Sequence, residues 1–444
     1  MMALRRPVAV AALWLAAGAF CGLAAQTVSK RRITQNETPA EAALRELLAA
    51  AQLALDNKDY AAAVQKYSEY IAKKPEDAAA HVDLGYAYTA LEQWDSAIAE
   101  YRKAIELDPK MADAYRNLGL ALLRSKPAEA VEPLRHYVEL KPGEGQPRFL
   151  LGLALEGSGQ YAAAIEQFEA GETADPKNAG QYHLHLGRCY LALNGRASSA
   201  EAEFRAAIHD LPAGMPDASD VRLGLAQSLI AQKKNAEAAA ALEEYLKLKP
   251  DDKAARLERA GLLAGLDKPE EAIAELDRAS AGAPEDVASL KARSSIYFQM
   301  KKYDDAIAAL KKAVALAPQD AELHARLGHL WLEKKNYAFA VRELAASFRL
   351  DSRSTDTLRD LLAAEFASGN YPAALQGLDL LAQRETPDAR AWFVRGVCYD
   401  KLGQKKEAIE AYKRFLEMNA GKANDEYFQA SVRVRALERE LKEK

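Results

Sequence analysis

Residues that could carry out chemistry are few in this chain of 444 residues, and their spacing separates them. His183 and His185 lie two residues apart, but side chains two apart on a helix point to different sides, which disfavours a shared metal ion. Adjacent acids diverge in the same way: Glu243-Glu244, Glu270-Glu271 and Asp304-Asp305. The charges that flank these acids indicate solvated helix faces rather than acid/base pairs.

Sequence motifs for catalysis are absent from the chain. It contains no HExxH zinc motif, no glycine-rich phosphate loop with its lysine and no Gly-x-Ser-x-Gly elbow. We therefore predict a protein that is not an enzyme and that uses no cofactor and no metal ion. The alternative, an enzyme with a cryptic site, would need polar groups from several helices to converge in one pocket.

The composition is that of a folded protein without a nucleic-acid partner. Hydrophobic residues make up 49% and charged residues 28% of the chain, proportions typical of a soluble globular protein. The formal net charge is -4, and charges of both signs alternate along the chain. Because such a chain offers no basic field to phosphates, we predict no binding to nucleic acid.

The first residues are predicted to direct export. Two arginines precede an apolar run from Val8 to Ala25 that ends in small residues, a pattern typical of a secretory signal peptide over residues 1–25. We therefore expect a periplasmic or extracellular protein, in which residues 26–39 form a flexible linker.

Two features leave other fates of this segment open. The apolar run approaches the length that spans a bilayer, so an uncleaved N-terminal anchor is the alternative, and it would be the only membrane contact. Lys30, Arg31 and Arg32 follow the run, where positive charge opposes translocation. Lipid attachment at Cys21 is disfavoured, since bacterial lipoprotein signals have a leucine three residues before the cysteine and here that residue is Gly18.

Prolines recur with a nearly constant step, and this period is the main fact in the sequence. They stand at Pro75, Pro109, Pro142, Pro176, Pro212, Pro250, Pro284 and Pro318. Between consecutive prolines lie two stretches with apolar residues three and four apart, which predict a hairpin of two helices. Because proline lacks an N–H and disfavours helix in the residue before it, each proline is predicted to end the second helix.

A glycine recurs in the first helix of most hairpins, although it costs about 1 kcal/mol of helix stability relative to alanine. We therefore expect the two helices to approach closely at Gly85, Gly119, Gly152, Gly187, Gly224, Gly328 and Gly396. The second helix is expected to face them with Ala97, Ala164, Ala306, Ala340 and Ala408. Aromatic residues are expected to fill the wedge toward the neighbouring hairpin: Tyr88, Tyr190, Tyr297, Trp331 and Tyr399.

The stretch HVDLGYAYTALEQWDSAIAEYRKAIELDP, at 81–109, combines these features in one unit. Its pattern residues are Leu84, Gly85, Tyr88, Ala97, Tyr101, Ala104 and Pro109. Because about eleven such units follow one another in register, the chain resembles the tetratricopeptide repeat family. The resemblance implies an all-α fold, an α-solenoid in which stacked helix hairpins form a right-handed superhelix that ends in a capping helix.

The repeats predict the organisation of the chain. The solenoid is expected over residues 40–423, with about eleven repeats. Longer turns near 194–219 predict an irregular region, which is either a change in superhelix pitch or a hinge between two stacks. Residues 424–444 are expected to form the polar capping helix, with Asn424 as its N-cap.

The two cysteines beyond the N-terminal segment are predicted to be buried and free. Cys189 and Cys398 occupy the same phrase in distant repeats, GRCY and GVCY. A disulfide requires Cα atoms within about 7 Å, and a solenoid holds such distant repeats apart. A small buried helix residue is the more usual role of a free cysteine.

The resemblance also implies that the first helices line a concave groove that accepts extended peptides or partner helices. Helix periodicity places the residues three before and one after each glycine slot on this groove. From this set we predict a protein or peptide partner to contact Tyr86, Arg116, Leu120, Phe149, Arg188, Lys291, His329 and Arg359. No residue at these positions is acidic, which favours a ligand with hydrophobic and acidic side chains. The alternative is that partial burial between helices excludes carboxylates there.

The function predicted from these features is binding. We expect a non-catalytic scaffold or adaptor that holds peptides or proteins on its concave surface outside the cytoplasm. The alternative is a permanent structural subunit of a cell-envelope complex for export, pilus or outer-membrane assembly. An exposed apolar patch on the convex side or at an end of the array would favour that alternative.

Overall fold

The computed structural model describes residues 38–211, 214–281, 284–420 and 425–442, and every regular element in them is a helix. The predicted signal peptide, most of the predicted linker and Asn424 lie outside the described residues. No helix in the described ranges has the length and apolar character needed to cross a bilayer. The chain divides into two compact units, unit 1 up to Pro250 and unit 2 from Asp251, and each is described by itself.

Unit 1 consists of helix hairpins in which odd-numbered helices come first and even-numbered helices second. Its helices are α1 (Pro39–Asp56), α2 (Tyr60–Ile71), α3 (Ala78–Ala90), α4 (Trp94–Leu107), α5 (Ala112–Leu123), α6 (Pro127–Leu140), α7 (Gly145–Gly157), α8 (Tyr161–Ala174), α9 (Ala179–Ala192), α10 (Ala197–Asp210), α11 (Ala218–Ala231) and α12 (Asn235–Leu248). A 3-10 turn at Pro176–Asn178 precedes α9.

Unit 2 continues the same alternation and ends in a single helix. Its helices are α13 (Lys253–Gly265), α14 (Pro269–Ala279), α15 (Val287–Gln299), α16 (Tyr303–Leu316), α17 (Ala321–Glu333), α18 (Tyr337–Leu350), α19 (Thr355–Ser368), α20 (Tyr371–Ala382), α21 (Ala389–Lys401), α22 (Lys405–Met418) and α23 (Asp425–Lys442). The predicted all-α fold of stacked hairpins is confirmed. The division between the units follows Pro250, whereas the sequence predicted its irregular region near 194–219.

Most turns within the hairpins share one backbone solution; the turn between α5 and α6, at Ser125, is an exception. The residue two before the second helix has positive φ, 78° at Gly159 in unit 1 and 57° at Lys335 in unit 2. The next N–H closes the first helix by donating to a carbonyl five residues back, as Asn336 does to Trp331 at 2.9 Å. The chain therefore reverses within three residues, and the second helix packs antiparallel to the first.

Prolines and acidic caps separate successive hairpins. Helix α16 ends at Leu316, two residues before Pro318. The Asp320 carboxylate then accepts a hydrogen bond from the Leu323 N–H at 3.2 Å and caps the start of α17. The prediction that these prolines end the second helix is confirmed where they are described, because proline disfavours helix in the residue before it. Pro133, which lies inside α6, shows that this is a preference and not a prohibition.

The close approach predicted at the glycines is confirmed, but a larger side chain than alanine fills the space. A Cβ on Gly152 would lie 2.4 Å from the Phe168 ring, and one on Gly328 would lie 2.5 Å from the Leu344 side chain. Phe168 stands four residues after Ala164, which is fully buried. Residues four apart share a helix face, so the alanine lets the helices meet and the larger side chain occupies the glycine slot.

Aromatic side chains join neighbouring hairpins, as predicted. Tyr88 packs against both the core cluster that contains Tyr67 and the one that contains Tyr101. The Phe204 ring serves two hairpins, since it would contact a Cβ on Gly187 at 2.8 Å and one on Gly224 at 2.3 Å. Each hairpin therefore depends on its neighbours for a complete core.

The last helix packs on its neighbour through one face. Ala430, Val434 and Leu437 of α23 are buried against Tyr412 and Phe415 of α22. The opposite face was predicted to be polar, and this is wrong in one respect: it exposes two apolar side chains, Phe428 and Val432.

Candidate partner-binding surface

All eight residues predicted to contact a partner lie on first helices. They are Tyr86 on α3, Arg116 and Leu120 on α5, Phe149 on α7, Arg188 on α9, Lys291 on α15, His329 on α17 and Arg359 on α19. The glycine slot, held against the second helix, fixes the rotation of each first helix. This face of the odd-numbered helices is called the first-helix face below.

The apolar members of the set in unit 1 belong partly to the core. Leu120 and Phe149 pack against the buried cluster of the central hairpins. The Phe149 ring centroid lies 5.2 Å from that of Tyr182 and 5.4 Å from that of His185. Tyr86 is more exposed and meets the Tyr60 ring edge-on at 6.4 Å. The first-helix face of unit 1 is therefore largely filled by its own side chains.

Both predicted cations of unit 1 have acidic neighbours. Arg116 lies 3.0 Å from the Asp113 carboxylate, one turn earlier on α5. Arg188 lies 3.9 Å from Glu156 of the preceding hairpin and 4.0 Å from Asp220 of the following one. These cations thus lie in an arrangement that already balances their charge.

Sequence reasoning missed a histidine–carboxylate pair at the centre of this face. His185 Nδ1 lies 2.7 Å from Glu156 Oε2, so the pair bridges α9 and α7. Burial alone raises the pKa of Glu156, but His185 and Arg188 outweigh it and the pKa is lowered overall. His183 turns away from this pair and contacts Glu203 of α10 at 2.7 Å. The predicted divergence of the two histidines is confirmed.

Three predicted contact residues of unit 2, Lys291, His329 and Arg359, form a ladder of polar contacts between hairpins. Lys291 donates to Glu322, which belongs to the next first helix, α17. His329 Nδ1 lies 3.1 Å from Asp360 Oδ2 on α19, and this hydrogen bond raises the pKa of His329 although burial opposes it. Arg359 donates to Glu385 at 2.6 Å. An acidic ligand would therefore have to displace a carboxylate of the chain from each cation.

A row of aromatic rings and small residues lies beside this ladder. Phe298 is 37% exposed, and its ring lies 6.2 Å from that of His329. Phe366 stands at the same register two repeats later, half-buried against Tyr371. The residues of this surface, called the unit 2 row, are Ser295, Phe298, His329, Ala363 and Phe366.

The sequence contained a pattern that predicts these rings. They lie outside the two positions per repeat, three before and one after the glycine slot, that were assigned to the groove. Phe298, Leu332 and Phe366 follow one another at steps of 34 residues. They stand four residues after the glycine slot, which holds Ser294, Gly328 and Leu362 in these repeats. Four residues after the slot is one further helical turn along the same face. Small side chains at Ser295 and Ala363 then leave the rings accessible.

A polar cleft of about 450 Å³ in unit 2 lies away from this row. It opens between α14, α15 and α16, where Arg293 donates to Asp277 and to Glu285, both at 2.8 Å. Lys312 adds a second cation 3.6 Å from Glu285. The charged groups of the cleft thus satisfy one another, and the described residues hold no cluster of metal-ligating side chains.

Both cysteines are buried thiols in the described structure. Desolvation raises the pKa of Cys189, and it raises the pKa of Cys398 to about 11. Because the thiolate is the reactive form, such burial keeps both side chains inert near neutral pH.

Comparison with known proteins places matches along both units. Four models described as tetratricopeptide repeats match residues 85–125 with 295–334, 149–218, 229–294 and 389–420. Together they cover more than half of the chain.

Relatives and solved structures share the repeat at low identity. Small glutamine-rich tetratricopeptide repeat-containing protein 2 of Saccharomyces cerevisiae is 29% identical over 110 residues, 24% of this chain and 32% of that protein. The protein of the same name from Mycosarcoma maydis is 36% identical over 98 residues, 22% of this chain and 28% of that protein. A tetratricopeptide repeat protein from Parabacteroides merdae matches with 18% identity and a TM-score of 0.41, over 59% of this chain and 99% of that one.

The chain thus spans about a third of the length of the curated relatives it matches. Proteins with this repeat are protein-interaction scaffolds. Given the matches in both units, and hairpins, turns and glycine contacts that recur in one register, the chain belongs to the tetratricopeptide repeat family.

Proposed function

We propose that the protein is a non-catalytic scaffold outside the cytoplasm, and that it holds an extended peptide or a partner helix on the first-helix face. The unit 2 row is the main contact. The observation that carries this proposal is the exposure of Phe298 beside the small, exposed Ser295 on α15, where a ligand side chain can reach an aromatic ring without moving the chain.

Unit 1 supports the choice by contrast. One residue after the glycine slot, unit 1 places Leu153 and Leu225, which are half-buried and buried. The same register in unit 2 holds Ser295 and Ala363, which are exposed. A ligand on unit 2 therefore finds open surface at these positions, whereas the two leucines of unit 1 are already packed; Tyr86, 38% exposed at the same register, is the exception in unit 1.

The kind of ligand that this surface can bind follows from the ion pairs that its basic side chains already form. Because Lys291, His329 and Arg359 already bind carboxylates, apolar contact with the rings supplies most of the affinity. A peptide with apolar side chains at intervals fits the row, and acidic groups on it would compete with Asp360 and Glu385. Export is inferred from the sequence of residues 1–25 and gives the compartment of the partner.

Affinity capture from the native envelope fraction tests the proposal. The variant Phe298→Ser with Phe366→Ser should lose the captured partner, because it removes both rings of the row. The matched control is Phe339→Ser, a similarly exposed ring on second helix α18, which should capture as the parent does. Equal capture by all three proteins would remove the row as the binding surface.

Two further readouts belong to the same experiment. Loss of capture in Arg116→Glu with Arg188→Glu, together with normal capture by the row variant, would move the site to unit 1. The intact mass of the isolated protein shows whether residues 1–25 are removed. Retention of that segment would replace the exported, cleaved form with an anchored one.

A second function, a permanent structural subunit of a cell-envelope complex, is favoured by one observation. Phe428 and Val432 expose apolar surface at the last helix of unit 2, where such a subunit would meet its neighbour. A partner that stays bound through purification and requires Phe428 but not Phe298 would favour this function over the scaffold.

A further inference from the structure

The outer face of α23 carries a single stripe of exposed residues. Phe428 is 69% exposed and Val432 is 46% exposed. Asp425, Arg435 and Arg439 are also exposed, and the five residues follow one another at steps of three and four. Such steps place them along one side of the helix, which is called the α23 stripe below.

Charges on the inner side of α23 are bound to the rest of unit 2. Arg433 donates to both oxygens of Asp400, at 2.6 and 2.8 Å. Glu438 pairs with Lys413 at 2.7 Å, which holds the helix against α22. These contacts orient the helix, so the exposure of the stripe follows from packing and not from a loose end.

The charged residues of the α23 stripe, and Glu426 next to Asp425, have no such partners. Among the described residues, no ion pair includes Asp425, Glu426, Arg435 or Arg439. The two acids stand at the N-terminal end of the helix and the two arginines near its C-terminal end. The helix dipole favours this order, but it gives no reason for a ring as exposed as Phe428 between the charges.

A second copy of the same helix explains both features. In an antiparallel pair, Asp425 of one α23 faces Arg439 of the other at both ends, and the Val432 side chains meet near the centre. A parallel pair would bring like charges together, which is unfavourable. We propose that two copies of this chain associate through the α23 stripe as an antiparallel, two-fold symmetric homodimer.

The size of the stripe sets the strength of this dimer. A helix of 18 residues is about 27 Å long. A pair of such helices buries less than the roughly 800 Å² per partner of a standard stable interface. The dimer is therefore weak and forms with rising protein concentration, at micromolar levels or above.

Sedimentation equilibrium of the full chain over a range of concentrations tests the proposal. The parent should show a monomer–dimer equilibrium, and Phe428→Ser should raise its dissociation constant about tenfold or more, since the ring is lost twice per dimer. Leu316→Ser is the matched control, because Leu316 is 59% exposed on α16 and should leave the constant unchanged. A parent that stays monomeric, or a dimer insensitive to Phe428→Ser, would overturn the proposal.

Charge exchange tests the antiparallel arrangement. Asp425→Arg with Glu426→Arg should weaken the dimer, because arginines then face arginines, and so should Arg435→Glu with Arg439→Glu. An equimolar mixture of the two variants should recover the parental dissociation constant, since each helix end now meets the opposite charge. The mixture uses the same folded proteins, so recovery cannot come from altered helix stability. Failure of the mixture to recover dimers would exclude this geometry.

Discussion

Units 1 and 2 use the same hairpin but fill the space between their helices with different chemistry. Three second helices of unit 1 place large, fully buried rings in the glycine slots, namely Tyr101, Phe168 and Phe204, while Leu134 fills the slot at Gly119. The same register in unit 2 holds Leu276 and Leu344, with a ring at Tyr412 against Gly396. Unit 1 therefore obtains more of its core from aromatic surface removed from water.

Unit 2 adds buried charge next to those leucines. Glu275 is 1% exposed and accepts hydrogen bonds from Arg256 at 2.8 Å and Arg259 at 2.5 Å. Glu343 is 6% exposed and lies 2.8 Å from His324 Nδ1. The two acids precede Leu276 and Leu344, so one register combines an apolar and an ionic contact.

The difference shows how one repeat can tolerate two kinds of core. An aromatic core loses stability in proportion to the volume that a substitution removes. A buried ion pair is different, because its removal as a whole is often neutral while the loss of one member is costly. In unit 1, each core substitution should therefore lower the free energy of unfolding by itself. In unit 2, the effect should depend on whether one member of an ion pair or the whole pair is replaced.

The largest expected effect is the loss of the Glu275 carboxylate. Glu275→Ala should cost about 3–5 kcal/mol of unfolding free energy, because two largely buried guanidinium groups lose their shared partner. Replacement of Glu275, Arg256 and Arg259 together by leucine should restore most of that stability. Urea unfolding followed by circular dichroism measures both; a triple variant no more stable than Glu275→Ala would contradict the ionic account of unit 2.

An intermediate effect on stability is expected when either of two helix glycines is replaced by alanine. Gly152→Ala in unit 1 should cost about 1–3 kcal/mol, because the new Cβ lies 2.4 Å from the Phe168 ring. Gly261→Ala in unit 2 should instead stabilise by up to about 1 kcal/mol, since nothing lies within 4 Å of its Cβ and alanine favours helix. Thermal unfolding compares the two; the same sign in both would show that the glycine slots do not report close approach.

The smallest expected effect is on how the stability of each unit depends on pH. Stability is expected to change in opposite directions in the two units as pH rises. In unit 1, desolvation first, then Asp77 and Asp56, raise the pKa of Asp83 to about 6, against a hydrogen bond from Tyr67. The folded pKa lies above the unfolded value of about 3.9, so unit 1 loses stability as pH rises from about 4 to about 6. The Tyr67 hydroxyl lies 3.0 Å from both Asp83 and Gln52, and a proton on Asp83 allows both contacts to be hydrogen bonds.

Glu343 of unit 2 is expected to act in the opposite direction. Burial raises its pKa, but Arg342 and His324 outweigh burial and lower the pKa overall. Its contribution is therefore present above the unfolded pKa of about 4.3 and is lost as pH falls below that value. Asp83→Asn should raise stability by about 1 kcal/mol at pH 7 and leave it nearly unchanged at pH 4, while Glu343→Gln should lower it at pH 7. Urea unfolding at both pH values measures these changes; equal effects at pH 4 and 7 would contradict the assigned pKa shifts.

Much of the fold followed from spacing alone. The prolines located the ends of second helices, and the glycines located the close approach, because both effects act within a few residues of backbone. Residues on the first helices could also be assigned to one face, since helical periodicity needs no tertiary information. For the same reason, the divergence of His183 and His185 was predictable.

The ion pairing and the burial of side chains on that face were decided only by the tertiary structure. Lys291 with Glu322, and His329 with Asp360, meet across 31 residues of sequence because adjacent hairpins bring their first helices together. The burial of Phe149 and the exposure of Phe298 likewise depend on the size of residues in neighbouring helices. The sequence by itself determined the repeating hairpin, through local backbone preferences. Which cations are already paired, and where the surface stays open, were decided by packing between repeats, because those distances are not encoded within any one of them.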